Sequence, residues 1–159
     1  MKNITLLLLT LISLTCFANK TDQDILDDIS NEKSFITTMK KHLDAVTNRD
    51  LITLRSTLSP NGEMQLILPQ TEIMKSVDAF MDYHKEWFAT PDWTFETKIV
   101  STHVKSDLGM AIVEIVYREP MRDGKPYFNR MTVSYVLEKI SGKWYVIKDH
   151  ASSVQKSTD

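Results

Sequence analysis

The chain has 159 residues, 42% hydrophobic and 25% charged, with a formal net charge of −2. That suits one globular domain with a core of moderate size and is too little for two. Mixed charge near neutrality excludes the basic surface that nucleic acid requires, and sparse glycine and proline exclude disordered or collagen-like chains.

Lys2, the apolar run Ile4 to Leu14 and the small-x-small triplet Cys16-Phe17-Ala18 read as a secretory signal peptide over residues 1–18. The run is shorter than the roughly 20 residues of a membrane-spanning helix, so no membrane span is expected. The mature chain should begin near Asn19, exported to the periplasm or the medium, and lack cysteine, since Cys16 is the only one. A lipoprotein is disfavoured because Ser13-Leu14-Thr15 puts leucine at the wrong offset before Cys16.

Residues 19–31 are polar and acidic, with Asp22, Asp24, Asp27 and Asp28 around Ile25, Leu26 and Ile29. They are expected to form a flexible segment or a first helical turn or two. Phe35, Met39, Leu43 and Val46 then mark one face of a helix ending near Asn48. Asp50 caps a short second helix, Leu51 to Leu58, stopped by Ser59-Pro60-Asn61-Gly62. Met64 to Leu68 reads as a brief strand. A third helix is expected from Thr71 to Phe88, its stripe Ile73, Val77, Phe80, Met81, His84, Trp87 and Phe88.

From Trp93 the period becomes two. Strands are expected over residues 93–105, 110–119, 127–139 and 143–150, joined by hairpins at Ser106-Asp107-Leu108-Gly109, Arg122-Asp123-Gly124-Lys125 and Ser141-Gly142. Three helices followed by an antiparallel meander make an α+β layout, with the helices packed on one face of the sheet. The domain is expected over residues 32–153, with 154–159 a tail.

The order of these elements resembles the nuclear transport factor 2-like superfamily, in particular its polyketide-cyclase (SnoaL)-like small bacterial domains. The likeness rests on the helix Phe35–Asn48 followed by Asp50-Leu51 and Leu58-Ser59-Pro60, on a helix ending at Trp87-Phe88, and on Gly142-Lys143-Trp144-Tyr145-Val146-Ile147-Lys148-Asp149-His150-Ala151-Ser152. It implies a cone-shaped fold, with a strongly curved sheet bent around a cavity, and a habit of forming dimers. Members include isomerases, cyclases and dehydratases as well as proteins that only bind ligands or partners, so the likeness implies no catalytic residue.

Centring the hairpins on Asp107-Leu108, Asp123-Gly124 and Ser141-Gly142 aligns two cross-strand rows. One is Ser101, Glu114, Val133 and His150; the other is His103, Ile112, Tyr135 and Lys148. Both rows fall on the face that carries Trp93, Phe95, Met131, Leu137, Trp144 and Val146 and should meet the helices. The opposite face remains apolar enough for a partner subunit. A bulge near Pro120 or Pro126 would transfer half of the set to that other face.

Glu114, among apolar residues, is the candidate general base, with His150 or His84 as proton-transfer partner. Each also has a structural reading. Glu114 would then be solvated or bonded to Tyr135 or Lys148, His84 a packed core histidine, and His150 a hydrogen-bonded strand end. Trp87, Trp93, Tyr135, Lys148, His103 and Ser101 are candidate ligand contacts, the tryptophans serving as core anchors first. Scattered histidines predict no metal site, and the absence of a glycine-rich loop or G-x-S-x-G elbow predicts no bound cofactor and no nucleophilic catalysis. The expected function is binding of a small, largely apolar molecule by a homodimer. Two alternatives stay open: a cofactor-independent acid-base enzyme of isomerase, cyclase or dehydratase type, and a non-catalytic interaction module.

Overall fold

The structure, a computed structural model, describes residues 21–90 and 92–157. The signal-peptide segment and the last two residues lie outside it. Helix α1 (Asp22–Thr47) starts well before its buried stripe, because Thr21 and Asp24 cap each other reciprocally. Thr21 Oγ1 accepts from the Asp24 N–H at 3.1 Å, and Asp24 Oδ2 accepts from the Thr21 N–H at 3.0 Å. Of the segment expected to be flexible or to form a first helical turn or two, the residues from Asp22 are helical, with Ile25, Leu26 and Ile29 exposed. Burial begins at Phe35 and continues through Met39, His42, Leu43 and Val46, one stripe of the helix.

Asp50 caps α2 (Leu51–Ser56), accepting from the Thr53 N–H at 2.9 Å. The third helix starts later than expected. Residues 68–72 form a tight turn, with Thr71 at φ 73°, that pairs β1 (Gln65–Ile67) with β2 (Ile73–Met74). Ser76 then caps α3 (Val77–Phe88), leaving Ile73 outside the helix and exposed.

Strands β3 (Thr94–Val104), β4 (Leu108–Arg122), β5 (Lys125–Ile140) and β6 (Lys143–Lys156) form the antiparallel meander. With β1 parallel to β6, the curved sheet runs β2-β1-β6-β5-β4-β3. Both Asp123-Gly124 and Ser141-Gly142 sit at positive φ, the geometry of two-residue hairpins, so Arg122 opposes Lys125 and Ile140 opposes Lys143 as expected.

Farther from those turns the expected rows fail, because bulges intervene. Pro120 and Met121 together oppose a single β5 residue, so Val113 rather than Glu114 faces Val133. Ile147 is an extra residue in β6, so Ala151 rather than His150 faces Val133, and Asp149 rather than Lys148 faces Tyr135. The first hairpin closes one residue earlier than expected, pairing His103 with Met110 and Ser101 with Ile112. One-residue slips exchange faces. Val113, Ile115, Asp149 and Ala151 therefore point to the helices, while Glu114, His150, Lys148, His103 and Ser101 are exposed on the outer face.

Helix α1 is anchored at its middle. Phe35 meets Trp144 edge to face at 5.3 Å, and Trp144 Nε1 donates to Ser34 Oγ at 3.1 Å. A Cβ on Gly109 would stand 2.6 Å from the Phe35 ring, so only glycine admits the helix there. Gly109→Ala should destabilise the fold by about 1–3 kcal/mol through overpacking. Urea unfolding measures this, and an unchanged midpoint would disprove the tight contact.

Candidate functional site

The inner sheet face is closed over by α1 at one end, where Phe35 packs on Gly109 and Trp144. At the other it opens into a pocket of about 450 Å³. Its apolar lining comes from Val46 on α1, Leu66 and Leu68 near the β1 edge, and Phe95, Ile115, Met131, Val133 and Ala151 on the meander. Trp87 supplies an aromatic wall. It stacks on Trp93 at 4.5 Å and packs against Phe95 and Tyr117. Trp93 is buried behind it, with the Arg49 guanidinium 3.8 Å from its ring centre and Arg49 Nη2 donating to the Trp93 carbonyl at 2.7 Å.

Two histidines line the pocket in one defined tautomer. The carbonyl of Phe80 can only accept, so His84 Nδ1 carries the proton in their 2.8 Å bond. Thr57 donates its hydroxyl to the Leu54 carbonyl at 2.7 Å, so its oxygen accepts from His42 Nδ1 at 2.8 Å. Each Nε2 is consequently a bare acceptor. Burial lowers the His84 pKa to about 4; burial and neighbouring His84 lower that of His42 to about 3. Both are neutral imidazoles near pH 7.

Asp149 is the most unusual group present. The residue is 5% exposed, lines the pocket from β6 opposite Tyr135, and leaves Oδ1 with no hydrogen-bond partner. Burial holds its pKa well above the ordinary carboxylate range. Asn129, also buried, likewise leaves Oδ1 unpartnered. The hydroxyls of Tyr83 and Tyr135 complete the polar lining there, their pKa values raised by burial.

A second polar group belongs to the meander's far end. Tyr117 donates to Glu119 Oε1 at 2.6 Å, and Arg122 pairs with Glu119, its Nε 3.0 Å from Oε2. The Arg122 guanidinium lies 3.5 Å from the Tyr127 ring centre. The bulge at Pro120 and Met121 turns Arg122 back toward Glu119. Among the described residues, no three His, Cys, Asp or Glu side chains gather to hold a metal ion.

Of the residues singled out from sequence, His84, Trp87 and Tyr135 line the pocket, and Trp93 backs it. Glu114, His150, Lys148, His103 and Ser101 are placed outside by the bulges. Asp149 and His42 take the inner positions instead. His42 was legible in principle, three residues after Met39 and seven after Phe35 on the buried stripe of α1. Asp149 was not, because its face depends on the extra residue Ile147.

A family model of the SnoaL-like domain matches residues 36–156. No curated protein matches the chain in sequence. Among solved structures, a type 3 hexachlorocyclohexane dehydrochlorinase from Novosphingobium barchaimii is 14% identical. It aligns over 84% of this chain and 92% of that one at a TM-score of 0.72. An NTF2-like protein of unknown function from Pseudomonas putida is 16% identical, over 79% of this chain and 87% of that one, at 0.66. The association domain of C. elegans CaMKII is 16% identical, over 78% and 96%, at 0.59. At these identities the likeness concerns the fold alone.

Asp149 makes a stability prediction. A raised folded-state pKa contributes stability below the unfolded value near 3.8, lost as pH rises toward the folded value. Asp149→Asn should therefore raise stability at pH 7 by on the order of 1–2 kcal/mol, the gain vanishing below about pH 4. The two histidines act oppositely. Their lowered pKa values contribute stability above pH 6.5 that is lost as pH falls toward 4 and 3, in wild type and variant alike. Thermal melts of both proteins from pH 4 to 8 measure the difference; a pH-independent difference would contradict the buried, unpaired carboxyl.

Proposed function

The chain belongs to the SnoaL-like domain family, and on that footing we propose that it binds a small, largely apolar molecule in the pocket. The observation that carries this reading is the buried, unpartnered Asp149 carboxyl in an otherwise apolar, aromatic-walled recess. A fold under no functional demand would place an apolar residue there, since an unsatisfied buried polar atom costs about 1–3 kcal/mol. Ligand sites combine an apolar lining with a few convergent polar groups.

A second reading, acid-base catalysis without a cofactor, draws support from His42, His84 and Asp149 sharing one pocket. Unprotonated Nε2 atoms are suited to accept a proton, and a carboxyl with a raised pKa to donate one. His84 keeps the proton-transfer role expected of it.

One experiment separates these readings. Ala151 lines the pocket, and Ala151→Phe should fill it. Binding of the neutral fluorophore N-phenyl-1-naphthylamine should weaken at least about tenfold, for an overpacking penalty of about 1–3 kcal/mol. Equal binding by both proteins would remove the pocket reading. Ligand recovered from the natively purified protein and re-incubated with it should return unchanged if binding is the function; conversion that His84→Gln slows about 10²-fold or more would establish catalysis.

The reading extends to an exported homodimer formed through the outer sheet face, where Val100, Leu108 and Met110 are exposed. Large exposed apolar side chains gathered on one sheet face favour a partner. Sedimentation of the secreted chain should give twice the monomer mass, and Met110→Glu should shift it to monomer; a monomeric wild type would end this part of the proposal.

A further inference from the structure

We propose that the pocket selects an apolar or aromatic molecule carrying a protonated amine, an inference that rests on the small-molecule reading above. Among the described residues three buried side-chain polar atoms lack a hydrogen bond; the two on the pocket lining are acceptors, and the third, Arg49 Nε, is not on the lining. Oδ1 of Asp149 and Oδ1 of Asn129 are buried and make no hydrogen bond. The Nε2 atoms of His42 and His84 are acceptors too, since each ring's proton is committed at Nδ1. Tyr83 and Tyr135 hydroxyls serve either way.

A ligand hydroxyl brings one donor along with lone pairs of its own, and a carboxylate brings acceptors alone. An ammonium brings three donors and no acceptor. It complements this lining best.

Charge and aromaticity select the same group. The acidic side chains at the pocket are Glu72, Glu119 and Asp149, and the one guanidinium, Arg122, is held by Glu119. No lysine lines it, so an incoming anion meets no unpaired cation there. An incoming ammonium meets the Asp149 carboxylate, and the faces of Tyr83, Trp87 and Tyr135 can lie against it. Pairing also relieves the penalty of burying Asp149 alone, because a buried carboxylate is tolerated once a counter-ion reaches it.

Three probes sharing an indole-ethyl body test this by calorimetry at pH 7 on the full mature chain: tryptamine, tryptophol and indole-3-propionate. Tryptamine should bind at least about tenfold more tightly than tryptophol, and indole-3-propionate should not bind measurably. Asp149→Asn should remove that preference, weakening tryptamine about tenfold or more and leaving tryptophol within about threefold. Folding of the variant is checked by its thermal melt. Tryptophol or indole-3-propionate binding as tightly as tryptamine would overturn the amine inference, as would a preference that survives Asp149→Asn. If N-phenyl-1-naphthylamine binds and tryptamine does not, the amine inference falls and the pocket reading stands; if neither binds, both fall.

Discussion

The contact between Phe35 and the sheet holds the rest of the molecule in place. Its ring sits over the bare backbone of Gly109, edge-on to Trp144, whose indole N–H is tied to Ser34 one residue earlier on α1. Asn31 adds polar ties nearby, donating to the Lys105 carbonyl at 2.8 Å and accepting from Lys139 Nζ at 2.7 Å. With α1 pinned at its middle, roughly its next three turns are carried across the sheet, and His42 and Val46 arrive at the pocket. Close packing here is compatible with open space there because the helix is a rigid rod about 1.5 Å long per residue.

The pocket assembles polar groups that stability alone would not retain. His42 and His84 are fully serviced on one side, Nδ1 bonded to the Thr57 hydroxyl and to the Phe80 carbonyl respectively, and bare on the other. Such half-satisfied groups hold a fixed orientation without a ligand. Asp149 lacks even that support and is paired in the sheet only through its backbone. The Trp87–Trp93 stack, with Arg49 behind it, makes a stiff wall facing these groups. Rigid aromatic surface next to fixed acceptors lowers the entropy lost on binding.

Much of the fold was legible in the chain. Asp50 as a helix cap, Asp123-Gly124 and Ser141-Gly142 as two-residue turns, and the inward set Met131, Val133, Tyr135 and Leu137 all followed from local chemistry. Local signals also competed, and misled. Thr71 looked like a helix start, but its positive φ closes the β1–β2 turn, and Ser76 is the working cap. In α1, the Thr21–Asp24 capping pair outweighed an acidic, exposed first stretch.

Sequence by itself determined the composition of the site's wall and the hairpins that hold the meander together. His84, Trp87 and Tyr135 follow from helical and strand periods, which are properties of the local backbone. Only the tertiary structure decided which carboxyl and which second histidine enter the pocket. Glu114 and His150 yield their places to Val113 and Ala151, and Asp149 turns inward, because single extra residues at Pro120–Met121 and Ile147 each reverse the alternation beyond them. Pro120 marks the first bulge in the sequence, whereas no residue of β6 marks the second at Ile147, whose position is settled by the curvature of the whole sheet and its packing against the helices.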